Sequence, residues 1–207
     1  MTPYRQNPFL RASYSLIAPL YDLVIGRAMR EARRRSLQVL PTDVPQRVLI
    51  SGAGTGLDLP LLPVMHHYTA LDFNAAMLAK AVPRSQGLRA DFLLGDSMAL
   101  PFAENSFDCV VLHLIVAVVP EPQRCLAEAA RVLKPGGRIV LFDKFLQPDQ
   151  RAPLRRLLNP LSRRVATRMD VVFEAVLQAA PDLQVVSDRP ALAGGWFRAI
   201  ELRKLRS

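Results

Sequence analysis

The sequence predicts a single α/β domain around a mostly parallel, seven-stranded sheet, with helices on both faces and one antiparallel edge strand. Three observations predict it. From residue 46 onward, short apolar runs alternate with helical patterns, as in parallel sheets. Runs such as Val48–Ile50 and Val110–Leu112 are continuously apolar, as expected of strands covered on both faces. The last two runs lie too close together for a parallel crossover and predict an antiparallel hairpin.

The predicted elements follow in order along one domain, residues 1–207. Residues 1–45 predict an N-terminal helical lid, in which Asp22 caps a helix that runs to about Leu40. Residues 46–145 predict a cofactor-binding core, and residues 146–207 predict a basic helical insertion followed by the edge hairpin. The predicted strands are Arg47–Ser51, Tyr68–Asp72, Ala90–Leu94, Asp108–Leu114, Arg138–Lys144, Gln184–Ser187 and Trp196–Leu202.

Charge is distributed unevenly along the 207 residues, whose formal net charge is +9. The net charge is +5 over residues 1–40, −2 over residues 41–150, and +3 over each of residues 151–197 and 198–207. A uniformly basic protein would indicate general affinity for nucleic acid. A slightly acidic centre between basic flanks indicates instead that the flanks contact an anionic partner.

Other features of the sequence argue against several classes of protein. No apolar run approaches the roughly 20 residues of a membrane span. The first residues do not resemble a signal peptide, and two cysteines do not form a disulfide framework. His66 and His67 have no third metal ligand nearby, so no metal site is expected. These features together favour a cytoplasmic location.

A glycine-rich turn, Ser51-Gly52-Ala53-Gly54-Thr55-Gly56, follows the first predicted strand and should enter a helix near Leu57–Leu62. Such turns let the backbone approach a ligand at the carboxyl end of a strand. The second strand ends in Asp72, followed by Phe73, and a carboxylate there can accept both hydroxyls of a ribose. The third strand leads into Asp96 and Ser97, where an acid can accept an adenine amino group.

The series continues with Pro101-Phe102, Ser106-Phe107-Asp108 and Leu133-Lys134-Pro135-Gly136-Gly137. Over residues 46–145 it resembles the Rossmann-like, class I methyltransferases that use S-adenosylmethionine (SAM). The resemblance implies SAM as the cofactor and implies cofactor contacts that lie along the first four strands. These contacts are Ser51, Gly52, Gly54, Thr55, Gly56, Asp72, Phe73, Asp96, Ser97 and His113. Ser51 departs from the family, many of whose members carry an acidic residue there.

The methyl acceptor is indicated only by less specific features. The segment Tyr14–Asp22 resembles the N-terminal lid of bacterial phosphatidylethanolamine N-methyltransferases and of quinone C-methyltransferases. The short chain and the step Val119–Pro122 resemble the phospholipid enzymes more closely. A resemblance to phosphoethanolamine-type enzymes implies that His113 pairs with Tyr14 or Tyr21 and receives the amine proton. The alternative is a histidine that is simply hydrogen-bonded at a strand end.

The basic flanks favour a lipid or another lipophilic acceptor, and a peripheral location on the inner membrane surface. Six arginines and no acid lie between Arg151 and Met169, with leucines at helical spacing, which is typical of an interfacial helix. Alternatively, the leucines pack on the domain. A second predicted contact comprises Arg27, Arg30, Arg33, Arg34 and Arg35.

Two further classes of function remain as alternatives. A nucleic-acid methyltransferase is not favoured, because the fourth strand is not followed by an Asn/Asp-Pro-Pro-aromatic sequence and the chain has no Pro-Cys nucleophile. A non-catalytic binding protein with the SAM-binding fold is not favoured either, because such a protein would not need to keep Asp72 and Asp96.

Overall fold

The computed structural model describes residues 27–146 and 171–206, which form one seven-stranded sheet in the order β3-β2-β1-β4-β5-β7-β6. Strands β1 to β5 pair in parallel, β7 runs antiparallel to β5, and β6 runs antiparallel to β7. The strands are β1 (Arg47–Ser51), β2 (His67–Asp72), β3 (Arg89–Leu94), β4 (Phe107–His113), β5 (Leu133–Lys144), β6 (Leu183–Leu192) and β7 (Phe197–Lys204). The predicted fold is confirmed, including the antiparallel hairpin at the sheet edge. Within that hairpin β7 is the reversed strand, and β6 forms the outer edge.

Four helices within the described residues flank the sheet: α1 (Arg27–Leu37), α2 (Ala75–Ala81), α3 (Pro122–Val132) and α4 (Phe173–Leu177). The prediction of a helix near Leu57–Leu62 is wrong, because only one 3₁₀ turn, Leu59–Leu61, forms there. Pro60 supplies no amide hydrogen to a helix. Asp58 precedes the turn, but its side chain does not cap it, since the carboxylate bonds to residues distant in sequence.

Helix α1 covers one face of the sheet through a stripe of buried residues at helical spacing. The stripe comprises Met29, Ala32, Arg33, Ser36, Leu37 and, just beyond the helix, Leu40. Two members are polar, and Arg33 is only 4% exposed. The prediction that Arg33 belongs to a membrane-contacting surface is therefore wrong. Arg34 and Arg35 are exposed, and both form ion pairs with Glu31.

The opposite face of the sheet is covered by α3 and α4. Their buried side chains, including Leu126 and Phe173, join one large apolar cluster with Leu112 and Leu141 of the central strands. The central strands are thus buried on both faces, as their unbroken apolar runs predict.

The carboxyl ends of β1 to β5 lie at one edge of the sheet, and the tip of the β6–β7 hairpin lies at the same edge. There Leu114 adopts a left-handed backbone conformation, with φ of 57°, which is costly for a non-glycine residue. Fully buried Asp143 holds the following segment by accepting a 2.9 Å hydrogen bond from the amide of Ala117. The chain is therefore turned sharply where β4 ends.

The predictions made for residues 1–26 and 147–170 lie outside the described residues; they include Tyr14, Tyr21 and the arginine-rich stretch after Arg151. Within the two described ranges, no helix combines the length and the apolar character needed to cross a membrane. Cys109 and Cys125 are buried free thiols.

Candidate cofactor and acceptor site

The glycine turn is fixed by backbone hydrogen bonds to the neighbouring strand. The amides of Gly52 and Ala53 both donate to the carbonyl of Leu71, at 2.8 and 2.9 Å. Gly54 has φ of 56°, and a Cβ added there would meet no atom within 4 Å. Its amide donates to Oδ2 of Asp72 at 2.7 Å. The turn therefore leaves open space beside Gly54 and directly adjoins the predicted ribose-binding acid.

Asp72 is buried, and backbone amides of the glycine turn and of the residues after β2 hold its carboxylate. Besides the bond from Gly54, its Oδ1 accepts a 2.9 Å bond from the amide of Asn74. Burial raises the pKa of the Asp72 carboxyl, while hydrogen bonds from the amides of Asn74, Gly54 and Phe73 act in the opposite direction. The carboxylate has about four acceptor sites, so these three amides leave about one for a ribose hydroxyl. This geometry fits the ribose of SAM.

The loop after β3 is tied to the end of β1. Ser51 donates its hydroxyl proton to Ser97 at 2.8 Å, and both side chains are buried. Asp96 accepts a 2.8 Å bond from the amide of Met98, which fixes the carboxylate at the same edge of the sheet. The hydroxyl of Ser51, predicted to contact the cofactor, thus also connects the glycine turn to the predicted adenine-binding acid.

A buried polar cluster lies beside the glycine turn. Its members are Arg33 and Ser36 of α1, Asp58 after the turn, and His113 at the end of β4; we call it the Asp58 cluster. The Nη1 of Arg33 donates to both oxygens of Asp58 at 2.8 Å. The ring of His113 bonds through Nδ1 to Oδ1 of Asp58 at 2.9 Å and through Nε2 to the hydroxyl of Ser36 at 3.1 Å.

The charge of Asp58 determines the orientation of the His113 ring. Burial alone raises the pKa of the Asp58 carboxyl, but the charges of Arg33 and His113 and their hydrogen bonds hold that pKa below its ordinary range. An ionised carboxylate can only accept hydrogen bonds, so Nδ1 of His113 donates to it. In the neutral ring, Nε2 is then the basic nitrogen and accepts the hydroxyl proton of Ser36.

The Asp58 cluster was missed in the sequence, although one signal was present. Asp58 is the single charged residue in the otherwise apolar segment Leu57–Leu62, and a charge there needs a partner. The predicted pairing of His113 with Tyr14 or Tyr21 lies outside the described residues and remains a prediction. Within the described residues, the cluster joins α1, the segment after the glycine turn, and β4.

Together these features define a class of protein: an open α/β fold that carries, at the carboxyl ends of β1 to β3, groups that fit an adenosine-containing cofactor. A family model described as a methyltransferase domain matches residues 49–141. A phosphatidylethanolamine N-methyltransferase of Cereibacter sphaeroides is 34% identical over 192 residues, covering 89% of this chain and 93% of that enzyme. The chain therefore belongs to the class I SAM-dependent methyltransferases.

Another relative is named for a different methyl acceptor. A demethylmenaquinone methyltransferase of Renibacterium salmoninarum is 39% identical over 191 residues, covering 88% of this chain and 79% of that enzyme. Among solved structures, a SAM-dependent methyltransferase of Thermotoga maritima has a TM-score of 0.67 at 18% identity, covering 94% of this chain and 99% of that one. The [4+2]-cyclase SpnF has a TM-score of 0.74 at 19% identity, covering 94% of each chain. These structures establish the fold alone.

Replacing Gly54 with Ala should weaken SAM binding about tenfold or more, because the new methyl group occupies the open space beside the turn. A residue other than glycine in the left-handed region costs about 1 kcal/mol of folding free energy. Gly87→Ala is the matched control, since Gly87 also has a positive φ and open surroundings but lies before β3. Both variants should lose similar stability in urea, and only Gly54→Ala should lose SAM affinity by calorimetry. Equal SAM affinity of the two variants would contradict the assigned cofactor position.

Replacing Asp58 with Asn should lower the free energy of unfolding at pH 7 by about 3–5 kcal/mol, because it breaks the buried ion pair between Asp58 and Arg33. The pKa of Asp58 is lower in the folded protein than its ordinary 3.8. Its stabilisation is therefore complete above that value and declines as the pH falls further. The stability difference between wild type and variant should thus shrink below about pH 4.

The control for this variant is Glu31→Gln, which removes only the exposed pairs with Arg34 and Arg35. It should leave stability at pH 7 nearly unchanged. An Asp58→Asn protein as stable as this control at pH 7 would show that the cluster does not stabilise the fold.

Proposed function

We propose that this enzyme methylates the amino group of phosphatidylethanolamine, in successive steps toward phosphatidylcholine, at the inner surface of a membrane. The observation that carries the proposal is the Cereibacter sphaeroides alignment, which covers 93% of that N-methyltransferase. This chain spans less of the quinone enzyme from Renibacterium salmoninarum, 79%. The Val119–Pro122 step supports the same choice, whereas the Tyr14–Asp22 segment resembles both groups of enzymes.

An amine acceptor must lose a proton to become nucleophilic. With a pKa near 10, only about one such amine in a thousand is neutral at pH 7. His113 is the proposed final proton acceptor. Its basic nitrogen Nε2 accepts the hydroxyl proton of Ser36, so the amine proton would pass to the Ser36 oxygen as that hydroxyl gives its own proton to Nε2. Asp58 and Arg33 would keep the ring in the required tautomer. Tyr14 or Tyr21 would complete the site from the N-terminal segment.

SAM supplies an activated methyl group, so the protein has to align the acceptor and exclude water. Asp72 and Asp96 would hold the ribose and the adenine, and the glycine turn would hold the remainder of the cofactor. The end of β4, beside the Asp58 cluster, would then adjoin the acceptor. Ser51, Thr55 and the other predicted contacts complete this proposed cofactor site.

Membrane association is proposed from charge. The segment after Arg151 combines six arginines with leucines at helical spacing, and each basic residue near an anionic bilayer contributes about 1 kcal/mol. Arg30, Arg34 and Arg35 are exposed on α1 and could add to this attraction, although Glu31 pairs with the last two.

A second candidate is C-methylation of a lipophilic quinone ring. It is favoured by the 39% identity to the Renibacterium salmoninarum enzyme, which exceeds the 34% identity to the phospholipid enzyme. This reaction would use the same cofactor site and would also require a lipophilic acceptor.

Incubation of the protein with labelled SAM and vesicles containing phosphatidylethanolamine and an anionic phospholipid should yield labelled methylated lipid. A parallel reaction with a demethylmenaquinol should yield no labelled quinone. Label on the quinone without label on the lipid would contradict the proposal and establish the second candidate.

The same vesicles test the membrane contact. A variant with Arg155, Arg156, Arg163 and Arg164 replaced by Gln should sediment less with anionic vesicles than the wild type does. Higher salt should weaken sedimentation of the wild type in the same way. Unchanged sedimentation of the variant would refute the interfacial role.

A further inference from the structure

Lys144 is the last residue of β5 and lies on the site edge of the sheet. Side chains alternate along a strand, so Lys144 shares a face with Phe142. Phe142 is the register partner of His113, and their rings meet edge to face at 5.6 Å. Lys144 thus follows the His113–Phe142 pair on the face covered by α1, one step nearer the edge.

The described neighbour of Lys144 on the adjacent strand belongs to an apolar cluster. This neighbour is Phe197, the register partner of Lys144, and it belongs with Phe142 and Met29 of α1 to one buried cluster. Partly buried Leu114 and Trp196 pack against that cluster. An ammonium group in such a setting loses hydration and gains nothing in return unless a partner replaces the water.

Within the described residues, the ammonium group of Lys144 makes no hydrogen bond or ion pair. The neighbouring acid, Asp143, faces the other side of the sheet and is committed to the amides of Ala117 and Lys144. Burial accordingly lowers the pKa of Lys144, and the charge of Asp143 opposes this effect without overcoming it.

The order of the sheet indicates what this ammonium group would meet. The residues suited to adenine, ribose and the glycine turn follow β3, β2 and β1, and β4 and β5 come next in the sheet. Lys144 lies on the far side of β4 from those residues. It therefore lies on the acceptor side of the site, and an anionic part of the acceptor is the partner that its charge suits.

We propose that Lys144 forms a subsite for the phosphate of a phospholipid headgroup. This inference rests on the proposed N-methylation. In an ethanolamine headgroup, one oxygen and two carbons separate the amine nitrogen from the phosphorus. A phosphate at the end of β5 would leave the amine free to extend toward His113 at the end of β4. The subsite would distinguish phospholipids from neutral lipids.

The test uses short-chain dihexanoyl phosphatidylethanolamine, and dihexanoylglycerol as a probe without phosphate, with S-adenosylhomocysteine present in both titrations. Wild type should bind the phospholipid and discriminate against the diglyceride. Lys144→Gln should weaken phospholipid binding about 10- to 100-fold, which is the usual contribution of a charged hydrogen bond. Its binding of the diglyceride should be unchanged. Lys144→Arg should restore part of the loss, and Lys80→Gln, on α2, should match the wild type.

The outcomes separate the subsite from the reaction. The subsite would be overturned if Lys144→Gln weakened the binding of both probes equally or weakened the binding of neither. Failure of the wild type to bind the phospholipid would also overturn it. If Lys144→Gln weakened the binding of the phospholipid alone, and the wild type transferred no methyl group to the lipid amine, the subsite would be retained and the proposed N-methylation overturned. Methylation of the lipid by Lys144→Gln with wild-type KM would retain the reaction and overturn the subsite.

Discussion

The buried carboxylate of Asp58 is the constraint on which the arrangement of the site depends. A buried charge is tolerated only when it is well paired, and here the partners come from α1 and β4. Arg33 must therefore face inward, which places α1 across β5 and β7. Met29 of the same helix then joins Phe142 and Phe197 in the apolar cluster next to Lys144.

The cofactor side and the acceptor side of the site are connected through short segments of backbone. Gly54 donates to Asp72, and Asp58 follows Gly54 by only four residues. His113, bonded to Asp58, ends the strand that separates the cofactor residues from Lys144. A ligand that binds the glycine turn would therefore contact a segment already tied to α1. This connection gives α1 a physical route by which to respond to SAM.

Local patterns were sufficient for the strands, because a strand depends on its neighbours in sequence. The cofactor residues stay a prediction, and Asp72 and Asp96 were chosen because each stands at or just after the end of an apolar run. Helical spacing would also have shown that Arg33, four residues from both Met29 and Leu37, shares their buried face. The partners of Asp58 could not be predicted, since its bonds join residues 25 and 55 positions apart. The acceptor was not decided either, because relatives acting on phospholipid and on quinone precursors both align with most of this chain.

Amide hydrogen exchange with and without S-adenosylhomocysteine tests the central claim, that the Asp58 cluster couples the cofactor turn to α1. In the wild type, the ligand should slow exchange in residues 52–56 and also in residues 29–37. In Asp58→Asn, the ligand should still protect residues 52–56 but no longer protect residues 29–37. Ligand protection of α1 that persists undiminished in this variant would contradict the account.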